Sequence, residues 1–341
     1  MNLTIENLEN ELKQNRIEAM YLFYGEEKFL LESCEKKIRK NFGELLEGIN
    51  YIKLDETNYH QLISNLETPA FGYEKKLVIV RNSGLFKKET KKKESGIQET
   101  AKRIASYIQE NIEQIKQTIL LLFIEQEVDK NELYETIEKN GIVCNFELQR
   151  IDRLLKRIKA ICNGYKVGID EPTTRYFIET CGTNLQDLIN ELRKLIEYVG
   201  ENGIIKKEDI DLLSTKQIDS VIFDLTDCLG KKNIKQALEV FHNLLYSKEP
   251  IQRILIMLYN HFKKIYFTKL ALKENKNIAE VLNLKPNQAF LASKYSGQAK
   301  VFGEQELREI LEALVNLDKD SKVGEIDLQV GLESIVCYYC S

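Results

Sequence analysis

Five short apolar runs, interleaved with stretches of helical spacing, fill the first 146 residues, and after Phe146 only helical spacing remains. The runs are Ala19–Tyr24, Asn50–Leu54, Lys76–Arg81, Thr118–Ile124 and Ile142–Phe146. Runs this short, rich in Leu, Ile and Val, read as strands buried on both faces of a sheet. Strands alternating with helices imply parallel pairing, because a parallel neighbour is reached only through a crossover. The expected fold is therefore an α/β N-terminal domain with a parallel five-stranded sheet. TILLLFI at 118–124 is the most apolar run and is expected at its centre.

Helices are predicted at 5–16, 27–42, 59–66, about 98–113 and about 130–139. Beyond Phe146, Leu154, Leu155, Ile158 and Ile161 share one helical face. A second helix opens at Asp170 with Pro172 in its first turn. A third, 184–198, carries Leu185, Leu188, Leu192 and Leu195 on one side. The remaining stripes include a long helix that starts after Pro250. The chain divides on this reading into an α/β domain at 1–147, a small helical domain at 148–212 and a second helical domain at 213–341.

Across 341 residues, 43% are hydrophobic and 30% charged, the make-up of a globular protein. A net charge of −4 and a pI near 5.7 argue against a surface coated in lysine for nucleic acid, though not against a local basic face. No apolar run approaches the roughly 18 residues of a membrane span. The acidic, amphipathic start MNLTIENLENELK is no signal peptide. The chain thus reads as cytoplasmic, with no membrane partner. Seven cysteines without a secretory signal argue against a disulfide framework. Cys337 and Cys340 form one CxxC with no second ligand pair, so no metal site is expected.

Leu66–Arg81, LETPAFGYEKKLVIVR, is the most suggestive stretch. Pro69 breaks a helix, Phe71 stands beside Gly72, and a strand begins a few residues later. Phe71 is thereby tethered near the sheet rim. It either caps the core or protrudes as an anchor for a partner, and propensity favours the core. Between the third and fourth strands, Lys87, Lys88, Lys91, Lys92 and Lys93 crowd together with glutamates. Such a run is ordinarily a solvated loop, with DNA phosphate contact as the functional alternative.

The strand–glycine–helix opening at Gly25 invites a phosphate-loop test. That motif needs GxxxxGK[ST], so that backbone N–H groups cradle phosphates and the lysine reaches them. Here the text is Gly25-Glu26-Glu27-Lys28, with no second glycine and no GK[ST]. Two carboxylates stand where phosphates would approach. The position reads as a degenerate nucleotide loop, and no cofactor is expected. His60, His242 and His261 fall in no catalytic motif, and His261 is read as structural. No catalytic residues are assigned.

In order and spacing, YLFYGEEKFLLE at 21–32, LETPAFGYEKKLVIVR at 66–81, GTNLQDLINELRKLIEY at 182–198 and the tail from Leu317 through Asp318, Lys322 and Gly324 resemble the delta subunit of the bacterial DNA polymerase III clamp loader. The resemblance covers nearly the whole chain. It implies an AAA+-like α/β domain without a nucleotide site, a helical lid and a helical collar. It also implies a function in DNA replication: binding the sliding clamp and opening its ring for loading onto primed DNA. The implied partners are the clamp, the ATP-hydrolysing clamp-loader subunits, a second non-hydrolysing subunit, and primed DNA within the hetero-oligomer. No catalysis is implied for the chain itself, only membership of a DNA-polymerising holoenzyme.

The clamp-binding element that the resemblance implies lies just before the third strand. Phe71 matches its main anchor, and Ala70 stands where a larger apolar residue is common. Thr68 and Pro69 flank it, and Leu66 or Tyr73 is a candidate for compensating contact. Two other readings stay open. One is an autonomous AAA+-like nucleotide-dependent DNA-processing enzyme, which the missing GK[ST] disfavours. The other is a DNA-binding scaffold using the lysine loop.

Overall fold

The computed structural model describes residues 1–87, 95–246 and 249–340. The chain divides into two compact units, Met1–Leu148 and Gln149–Ser341.

The first unit is built on one wholly parallel sheet. Its strands are β1 (Asn2–Leu3), β2 (Met20–Tyr24), β3 (Tyr51–Leu54), β4 (Lys76–Arg81), β5 (Ile119–Glu125) and β6 (Ile142–Asn145), in the order β1-β6-β2-β5-β4-β3. The sheet has six strands rather than the expected five. The additional strand pairs Asn2 with Val143 and Leu3 with Cys144, and two residues are too few to carry a period-two pattern. β5 lies between β2 and β4 and is buried along its whole length, as TILLLFI requires. On one face, Leu62 and Leu66 of the helix Leu62–Glu67 join Val78 and Val80 of β4 and Phe123 of β5 in a continuous core.

The helix expected near 98–113 proves to be two, Ser95–Glu110 and Ile112–Thr118. Asn111 separates them. Its side-chain amide donates to the Tyr107 carbonyl at 2.9 Å, a backbone bond of the kind that ends helices without Gly or Pro.

The second unit is helical. The helix Glu171–Cys181 starts as its sequence suggests: Asp170 Oδ1 accepts from the Thr173 N–H at 2.7 Å, and Pro172 occupies the first turn, where its missing N–H costs nothing. Asn184 caps Leu185–Val199 in the same way. From Ile222 to Cys340 the apolar stripes merge into one core around the long helix Ile251–Lys273. A polar chain runs from its buried interior to the surface at Asp227. Gln298 Nε2 donates to Asp227 Oδ1 at 2.6 Å and to the Phe223 carbonyl at 3.2 Å. Its Oε1 is left to accept from His261 Nε2 at 2.8 Å, so the proton sits on Nε2. Burial pulls the His261 pKa down to about 4.

Among the described residues the cysteines are free, no cluster of His, Cys, Asp or Glu is placed to hold a metal, and no helix is long and apolar enough to cross a membrane.

Candidate partner-docking site

The turn before β4 is built by three local devices. First, the helix Leu62–Glu67 ends where Thr68 folds back: its N–H and Oγ1 both donate to the Ser64 carbonyl, at 3.2 and 2.6 Å. Second, Pro69 cannot extend the helix. Third, residues 70–73 close a β-turn, with the Tyr73 N–H donating to the Ala70 carbonyl at 3.0 Å. Gly72 occupies the third position with φ +81°, which a turn of type II demands and which glycine adopts without strain.

Phe71 takes the second position of that turn and is 88% exposed. It is no part of the core. Thr68 and Pro69 are exposed beside it, while Ala70 and Tyr73 are half-buried. Leu66 is the exception among the expected contact residues. At 3% exposure it belongs to the core under the sheet and presents no surface to a partner. Its helical register with Leu62 points it inward, so Tyr73 is left as the aromatic neighbour of Phe71.

Sequence reasoning passed over Lys76. This first residue of β4 is 3% exposed, yet its ammonium donates to the Thr68 carbonyl at 2.6 Å and the Asn65 carbonyl at 3.0 Å. Those carbonyls close the helix Leu62–Glu67, where orphan C=O groups and the helix dipole favour a cation. Burial holds the Lys76 pKa below the ordinary lysine value.

The degenerate loop lies at the other rim of the sheet, where ligands of parallel sheets ordinarily bind. It is stitched to neighbouring segments by its own backbone. The Gly25 N–H donates to the Gln126 carbonyl at 3.2 Å, and the Glu27 N–H to the Phe146 carbonyl at 2.8 Å. Gly25 adopts φ +124°, and a Cβ there would collide with the Phe146 carbonyl. Amides that would face a phosphate are thus spent on protein carbonyls. Glu26 is exposed; Glu27 is buried, so of the two expected carboxylates only Glu26 stands at the surface.

On the same rim, Glu125 ends β5 buried against Ser83, accepting from its N–H at 2.8 Å and its hydroxyl at 2.6 Å. Burial still raises its pKa, against the pull of those donors. Lys87 is exposed nearby, its carbonyl accepting from Gln98 Nε2 at 2.9 Å. Lys88, Lys91, Lys92 and Lys93 lie outside the described residues.

The fold is that of a clamp-loader delta protein. The solved DNA clamp loader delta protein of Bacillus subtilis superposes with a TM-score of 0.73 at 22% identity, covering 98% of this chain and 99% of that one. In sequence, residues 21–147 match the family described as DNA polymerase III, delta subunit, and residues 219–339 match the family of its C-terminal domain. The DNA polymerase III subunit delta of Bacillus subtilis is 25% identical over 328 residues, covering 94% of this chain and 93% of the relative. A probable DNA polymerase III subunit delta of Aquifex aeolicus is 26% identical over 320 residues, covering 90% and 87%. The chain belongs to the DNA polymerase III delta subunit family.

Proposed function

We propose that this delta-family chain binds the sliding clamp through the Phe71 turn and opens, or holds open, one interface of the ring during loading onto primed DNA. The observation that carries the reading is Phe71 itself. A large aromatic side chain, 88% exposed on a turn fixed at both ends, has no role in its own core. Aromatic side chains presented this way act as central anchors at interfaces. Thr68, Pro69, Ala70 and Tyr73 form the surrounding contact surface.

The same reading divides the helical unit into a lid at 148–212 and a collar at 213–341. The collar joins the ATP-hydrolysing subunits and a second non-hydrolysing subunit. The chain itself contributes no hydrolysis, in keeping with the closed loop at Gly25 and Glu27. An autonomous nucleotide-dependent enzyme is disfavoured by the same geometry. Contact between the lysine run at 87–93 and DNA is a secondary role within the assembly.

The test is ring opening. A sliding clamp labelled with a fluorophore pair across one subunit interface is mixed with this chain alone, without nucleotide. Energy transfer across that interface should fall in proportion to the chain bound. Binding with unchanged transfer would reject the opening role, and no binding would reject the docking reading.

A further inference from the structure

We propose that Lys76 is a positioning residue for clamp docking: its buried ammonium fixes the stem of the Phe71 turn so that the aromatic ring is presented in one orientation. The inference rests on the reading of that turn as the docking element. It goes beyond it by assigning a role to a residue that has no surface to offer a partner.

The argument starts from position. Side chains alternate along a strand, so Lys76 shares a face with Val78 and Val80, the face covered by the helix Leu62–Glu67. A lysine there is an anomaly in an otherwise apolar strand. Burying an ammonium is unfavourable unless its donors are satisfied, and two of them are, by the carbonyls of Asn65 and Thr68. These partners lie 11 and 8 residues upstream, on the far side of the turn. One ammonium therefore ties the entry of the loop to its exit.

Between Thr68 and Lys76 run seven residues, Pro69 to Lys75, whose internal restraints are few. The Thr68 N–H bonds Ser64 and the Tyr73 N–H bonds Ala70. Without the lysine, Thr68 would be held only through its bonds to Ser64, and the segment from Pro69 to Gly72 would sample more orientations. An anchor that must be ordered on binding loses affinity to the entropy of that ordering, and a preorganised one does not. A cation suits the task better than an apolar residue because the groups to be held are carbonyls at a helix C-terminus.

The experiment uses the full chain with Lys76→Met, which keeps the length and apolar stem but removes the donors. Amide hydrogen exchange is followed by NMR or mass spectrometry, and clamp affinity by surface plasmon resonance. Exchange at Thr68 and Tyr73 should accelerate at least about fivefold while Leu77–Val80 stay unchanged. Clamp affinity should fall about three- to tenfold. In a Phe71→Ala background the same change should add less than about twofold, because there is no anchor left to position.

Equal acceleration in the turn and in β4 would reduce Lys76 to a plain structural residue. Unchanged exchange in the turn would overturn the proposal outright. If Phe71→Ala alone leaves affinity intact, the docking reading fails, and the exchange data still judge whether Lys76 orders the turn. Should Lys76→Met not fold, Lys76→Gln, which keeps a donor, carries the same expectations at smaller amplitude.

Discussion

Phe71→Ala separates an interface anchor from a core residue in one protein preparation. With 88% of its surface open, Phe71 makes little contact within the chain. Full burial of a Phe side chain is worth roughly 1.5–3 kcal/mol. The intramolecular share here is about an eighth of that, a few tenths of a kcal/mol at most. Truncation of a packed core Phe would instead cost about 3–5 kcal/mol. The melting temperature should therefore hold within about one degree. Almost the whole transfer energy is available to a partner's pocket, and a central aromatic anchor commonly reaches about 2 kcal/mol or more. Clamp affinity should fall about tenfold to a hundredfold, at about 1.4 kcal/mol per decade. Surface plasmon resonance on immobilised clamp and thermal unfolding of the same sample decide it. Affinity unchanged within twofold, or a drop of many degrees in melting temperature, would refute the reasoning. Ala70→Leu is the companion change: Ala70 is half-buried beside the anchor, and enlarging it should tighten clamp binding if both side chains enter one pocket.

Calorimetric titration of the isolated chain with Mg-ATP should show no saturable micromolar site, because the Gly25 and Glu27 amides are bonded to Gln126 and Phe146; heat saturating at micromolar ligand would contradict this. The second expectation concerns His261, whose folded pKa of about 4 lies below its ordinary 6.5. The unfolded chain binds more protons between those values, so this contribution to stability is complete above pH 6.5 and is lost as pH falls toward 4. About 2 kcal/mol should disappear between pH 8 and pH 5, read from urea midpoints of the helical unit, and His261→Phe should flatten that slope; an unaltered slope in the variant would assign the pH dependence to other groups.

Much of the fold was legible because its signals are local. β5 announces itself as seven consecutive buried residues, and each strand of useful length lies within two residues of its expected run. The helix start at Asp170 follows from Pro172 in the first turn and the helix from Asn184 from its apolar stripe, and both starts turn out to be capped by those side chains. What escaped was either too short or not local. β1 gains its place by pairing with β6, about 140 residues away. The break at Asn111 accompanies a side-chain amide bond to the Tyr107 carbonyl that the apolar pattern does not encode. Leu66 adjoins the turn and so reads as a surface candidate, but helical register with Leu62 places it in the core.

The candidate site divides along the same line. Its turn could be read from Pro69, Phe71 and Gly72, but its support could not. Among the described residues, lysine ammonium groups hold helix-end carbonyls in four places. Lys76 holds the carbonyls of Asn65 and Thr68, Lys194 that of Leu213, Lys269 those of Ala299 and Phe302, and Lys232 that of Tyr339. Each ammonium reaches the end of a helix to which it does not belong, Lys76 from a strand and Lys232 from a turn, the latter 107 residues from its partner. Cap rules look for glycine at the end of the helix itself and are blind to a cation arriving from elsewhere. The consequence for function is one of geometry. In a parallel sheet the carboxyl rim is the ordinary place for a ligand, and here that rim is closed at Gly25 by the carbonyls of Gln126 and Phe146. The opposite rim, ordinarily unused, carries an exposed aromatic on a turn whose two ends are tied by a buried charge. If Phe71 is the docking anchor proposed above, the parallel sheet acts as a rigid mount whose use lies at the Phe71 end, away from the rim that its own backbone closes.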